Sequence, residues 1–67
     1  MTDEVMPRIF RDCAKRVIQQ FHYVATNHPN FAGLRVAQVI GFTDNYVQVQ
    51  FEDGTQENRF GMQVAIL

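Results

Sequence analysis

Few residues of this chain can do chemistry. Of its 67 residues one is cysteine and two are histidine, and serine is absent, which excludes serine-based acyl transfer. Cys13 is the only soft nucleophile. The apolar spacing around it places Cys13 inside an apolar helical arc, where burial raises a thiol's pKa and blocks access, so an inert thiol is expected. His22 and His28 flank an expected helix end and have no carboxylate at ligand spacing. Two histidines and one cysteine cannot close a four-ligand zinc site, so neither metal nor cofactor is expected. Glu52 and Asp53 are the paired carboxylates, but they adjoin in a tight turn, where both stay solvated and neither pKa is pushed away from the other. Gly33, Gly41, Gly54 and Gly61 stand singly, so no loop is built to cradle phosphate. The expectation is a protein that is not an enzyme and has no catalytic residues.

Binding is the better-supported chemistry. Arg8, Arg11, Lys15 and Arg16, continued by Gln19 and His22, fall on one side of a helical projection and could follow a nucleic-acid backbone or an acidic protein surface. The same cations also serve as an ordinary solvated face. A formal charge of −1 argues against non-specific duplex binding, which needs a strong electrostatic term. A second candidate is the polar strand face of Gln48 and Gln50, with Glu52 beside them, whose amides offer adaptable donors and acceptors. The apolar end Val64-Ala65-Ile66-Leu67 is the third. Chain ends usually trail off polar, so Val64, Ile66 and Leu67, with Ile18 from the helix flank, are expected to face a second copy.

The elements that position these residues divide the chain in two. Phe10, Cys13, Ala14, Val17, Ile18, Phe21, Val24 and Ala25 recur at i, i+3, i+4 and i+7 spacing, which predicts an amphipathic helix over about 7–26. Pro7 suits its first turn, and Asn27-His28-Pro29 stops it. About half of the helical cylinder is apolar, Phe21 included, so Phe21 is expected in the core. Further on the period changes to two. Strands are expected at about 33–42, 46–52, 55–60 and 62–67, with Val47, Val49 and Phe51 on one face. Asp53-Gly54 reads as a two-residue hairpin turn, and the broken alternation near Ala37-Gln38 as a bulge.

Phe31-Ala32-Gly33-Leu34-Arg35-Val36, Val39-Ile40-Gly41-Phe42 and Val47-Gln48-Val49-Gln50-Phe51-Glu52-Asp53-Gly54 resemble the spacing of small SH3-like barrels of the Tudor and KOW type. The resemblance covers about residues 31–60. It implies a module that binds proteins, methylated side chains, RNA or RNA polymerase. Only Tyr46, Phe42 and Phe60 stand near loops, fewer rings than an aromatic cage usually needs, and the minimal module has no counterpart of the expected helix.

The length allows one small domain, residues 1–67, without a disulfide or metal to staple it. No apolar run approaches the roughly 18 residues of a membrane span, so no membrane partner and a cytoplasmic location are expected. The fold expected is α+β: one N-terminal amphipathic helix on a three- to four-stranded antiparallel sheet that can curl into an SH3-like barrel. Its expected role is that of a small interaction module or regulator binding a macromolecular partner, protein first, and forming a homodimer. Nucleic acid or the transcription machinery, held by the basic helix face, is the alternative.

Overall fold

β-Branched and aromatic residues dominate the interior of this chain, and they build a sheet. The structure is a computed structural model that describes residues 9–67. Five antiparallel strands run β1 (Tyr23–His28), β2 (Phe31–Phe42), β3 (Val47–Phe51), β4 (Gln56–Arg59) and β5 (Ala65–Ile66), with one 3-10 turn at Gly61–Gln63. Their order in the sheet is β4-β3-β2-β1-β5. The α+β expectation is therefore wrong: among the described residues no helix packs on the sheet, and the stretch expected to be helical holds a short hairpin, a turn and β1. Pro7 and Arg8 lie outside the described residues.

The physical reason lies in the residues that carried the helical spacing. Phe10, Val17, Ile18, Phe21 and Val24 among them are poor helix formers and good strand formers, as are Tyr23 and Thr26 between and after them, and the stretch from Ile9 to Thr26 contains no leucine or glutamate. In β1 the period-two pattern Val24, Thr26, His28 is buried, while Tyr23 and Asn27 are exposed. Residues 10–18 fold back on themselves, with the Ile18 N–H donating to Phe10 O and Arg11 bridging to Val17.

The core is small. Val24, Val39, Val47, Val49 and Val64 form it with Ile18, Ala37 and Phe51, and Phe10 and Ile66 pack against its margin. One inward row crosses four strands, from Ile66 to Val24, Ala37 and Phe51. The matching outward row runs through Tyr23, Gln38, Gln50 and Gln56, and at its end the Leu67 N–H donates to Tyr23 O. The bulge of β2 lies between Val39 and Gly41, not at Ala37-Gln38, and it moves the inward parity from Val39 to Phe42. Phe42 then stacks on Phe10 at 5.2 Å. The sheet rolls, because Arg59 of β4 reaches across to donate to Asn27 O of β1 at 2.8 Å.

Candidate interaction surface

The basic residues sit on a hairpin turn. Asp12 N–H donates to Arg16 O and Lys15 N–H to Asp12 O, which closes a three-residue loop with Lys15 in the left-handed region at φ 66°. Asp12 is buried at the centre of this loop. Its carboxylate accepts from the Ala14, Arg16 and Ile66 N–H groups and from Arg16 Nε. Burial alone would raise its pKa, but the bonds from Ile66, Arg16 and Ala14 outweigh that and lower it to about 2. Arg16 also donates to Ile66 O, and Arg11 to Lys15 O. Arg11, Lys15 and Arg16 thus share one loop tied to β5, and Arg8 lies outside the described residues. Gly61 packs so tightly here that a Cβ would collide with the Arg11 carbonyl.

Cys13 lies at the tip of this turn and is exposed, not buried. Phe21 is also out of the core, 61% exposed, with a positive φ of 74°. It occupies the third position of a turn closed by the His22 N–H on Gln19 O. Gln48 and Gln50 are half-buried on the outer face of β3, opposite Asn58 and Gln56. Gln48, with Tyr46, Gln56, Glu57 and Asn58, lines an open, mostly polar hollow of about 640 Å³, and Gln50 lies outside it. Of the residues expected at a dimer interface, Ile18 and Val64 are buried in the chain's own core, Ile66 is half-buried, and Leu67 is exposed. The structure does not bring the basic loop and the glutamines onto one element.

A different surface collects the most unusual features. β2 is twelve residues long, yet β3 pairs only with its second half, from Ala37 to Phe42. Every residue from Phe31 to Val36 is exposed, including Leu34 at 66% and Val36 at 51%. Beside this stretch runs a groove of about 560 Å³ lined by His28, Phe31, Leu34, Arg35, Phe51 and Asp53, among others. Arg35 lies over the Phe31 ring at 4.6 Å. His28 is buried between Phe31 and Phe51; its Nδ1 accepts from Asn30 N–H, so Nε2 carries the proton and donates to Asp53 at 2.9 Å.

Asp53 belongs to the second hairpin turn, where Phe51 N–H donates to Thr55 O and Gly54 N–H to Phe51 O, with Gly54 at φ 90°. This is a three-residue loop, not the expected two-residue one. Thr55 holds the Asp53 pKa below the usual value through its N–H and side chain, against the effect of burial, and His28 adds to the lowering. Two signals of this surface were present in the sequence: the excess length of the first strand over the second, and Asp53 two residues before the Thr55 N–H it caps. Among the described residues no group of three or more His, Cys, Asp and Glu could hold a metal ion, and no helix is long and apolar enough to cross a membrane. Comparison with protein-family models, with curated proteins and with solved structures finds no match.

Proposed function

We propose that this chain is a small non-enzymatic interaction module that binds a protein partner through its sheet. The observation that carries the reading is the exposure of all six residues Phe31–Val36 in a strand otherwise held by its neighbours. Phe31–Val36 pairs with β1 along one edge only, and a largely apolar strand half whose other edge is open among the described residues is a liability that folded chains normally blunt, so its presence, with Arg35 its one charge, supports a surface kept open for binding. The exposed Cys13 thiol fits a reducing compartment such as the cytoplasm. Nucleic acid is the less favoured partner, since Arg16 is paired with Asp12 and Arg59 with Glu57.

Capture from an extract of the source cells on the immobilised chain, before and after nuclease treatment, tests this reading. The expected result is saturable retention of a protein that survives nuclease. Retention only of nucleic acid, lost with Arg11→Glu and Lys15→Glu, would transfer the function to the basic loop. A second copy is a further partner in this reading, favoured by the exposed Tyr23 and Leu67 on the outer face. A solution mass at the monomer value across the micromolar range would remove it.

A further inference from the structure

The half of β2 that pairs with β1 alone has a defined hydrogen-bonding pattern. Val39 bonds toward the β1 side, donating to His22 O and accepting from Phe21 N–H. Successive residues of a strand point their backbone groups to opposite sides, and no register shift falls between Leu34 and Val39. Ala37 and Arg35 therefore bond toward Val24 and Thr26 of β1, while Gln38, Val36 and Leu34 point the other way. Gln50 of β3 meets Gln38. Beyond it the chain leaves at Phe51 into the Glu52-Asp53-Gly54 turn, so the N–H and C=O groups of Val36 and Leu34 face an open lane, which coincides with the groove.

We infer that this lane takes an extended segment of a protein partner as an added strand, antiparallel to β2, with its positively charged N-terminal end against Glu52. The inference rests on the interaction-module reading and names its site. Main-chain groups spaced for a ladder recognise only an extended backbone. The lane is regular from Leu34 to Val36, and Gly33 at φ 80° and the register shift beside it break it toward Phe31, so about three or four residues of partner can join the ladder. Direction follows from charge. A strand antiparallel to β2 runs on in line with β3, so its N-terminal end abuts the turn carrying Glu52 and Asp53, whereas a parallel strand would bring its C-terminal end there. Glu52 is exposed, and Asp53 is already engaged with His28 and Thr55. On the outer face, alternate residues of the added strand meet Val36 and Leu34, which asks for apolar side chains at every second position.

Two acetylated hexapeptides, Lys-Val-Thr-Val-Thr-Thr and its Glu-headed counterpart, are the probes, read by amide hydrogen exchange and amide chemical shifts of the full chain. The Lys-headed peptide is expected to slow exchange at the Leu34 and Val36 amides by roughly tenfold at saturation. The Glu-headed peptide should bind at least about fivefold more weakly, and Glu52→Lys should reverse the preference. Val36→Pro removes a donor that faces the lane, a position where an edge strand tolerates proline, and should abolish the slowing. If that variant fails to fold, the reversal by Glu52→Lys decides alone.

Equal binding of the two peptides, no slowing at Leu34 and Val36, or protection that rises with protein concentration alone would overturn the inference, the last by making a second copy the occupant. A captured partner that still binds Val36→Pro would overturn the lane while leaving the module reading intact. Absence of any protein partner would remove the module reading itself.

Discussion

Lys15 and Gly54 occupy the same position in two turns of the same design. Each follows a turn closed by a backbone bond three residues back, on Asp12 O for Lys15 and on Phe51 O for Gly54, and each has positive φ. A side chain in that region costs about 1–2 kcal/mol, which glycine avoids. Glycine also gives up about 0.5–1 kcal/mol through its freer unfolded chain. Lys15→Gly should therefore raise stability by up to about 1 kcal/mol, and Gly54→Lys should lower it by about 1 kcal/mol, as read by urea midpoints at constant m-value. Phe21, in a different turn, also has positive φ and is the residue least suited to it. Because its ring is largely exposed, Phe21→Ala should change stability by under about 1 kcal/mol, far from the 3–5 kcal/mol of a buried aromatic. Phe21→Gly should be neutral or stabilising, and a loss above 2 kcal/mol would show that the ring packs.

At the scale of elements, the two turns share a second device, an aspartate, buried in the first turn and exposed in the second, that ties the loop to its surroundings. Asp12 is drawn down to about 2 and Asp53 below its ordinary 3.8. A carboxylate whose pKa is lower in the folded chain than in the unfolded one stabilises the fold above the unfolded value, and that contribution disappears as pH falls through the folded one. Stability from these two groups should be constant above about pH 5 and fall steadily between about pH 4 and pH 2. Asp12→Asn replaces acceptor by donor opposite the Ile66 N–H, so it should be destabilised at pH 7 with a flatter acid limb. Urea midpoints of both chains from pH 2.5 to 7 check this, and parallel acid limbs would contradict it. The same turns explain what could be read in advance. Gly54 after Asp53 announced its hairpin, and the alternation Val47, Val49, Phe51 announced β3. The first turn has lysine where glycine is usual, so nothing local marked it. Phe10, Val17, Ile18 and Phe21 then fell on a helical spacing although their types favour strand. The open lane was legible only as a difference in strand lengths, because which half of β2 lacks a neighbour depends on where β3 turns away.

On the scale of the whole molecule, the described residues hold the fold through eight buried apolar side chains and closure of the sheet at both edges. A chain of this length has about 3–10 kcal/mol in total, so the loss of one closure is a large fraction. Arg59 closes one edge. The other depends on β5, whose two residues do more than their length suggests. Ile66 pairs with Val24, its N–H caps Asp12 and its carbonyl accepts from Arg16, while Val64 O accepts from Cys13 N–H. The backbone of Ile66 thus joins the first hairpin to β1, and its side chain is only half-buried. Removing the side chain by Ile66→Ala should cost about 1–2 kcal/mol, the value of a partly buried aliphatic group. Deleting Ile66 and Leu67 takes the backbone bonds as well and should lower Tm at least about twice as far, at roughly 4–8 °C per kcal/mol for a domain of this size. The deletion should also act through the first turn. In an Asp12→Asn background, where the Ile66 bond is already lost, the same deletion should cost clearly less than in the parent chain, since groups in one network do not add. Equal costs in the two backgrounds would show that β5 and the first hairpin are held independently.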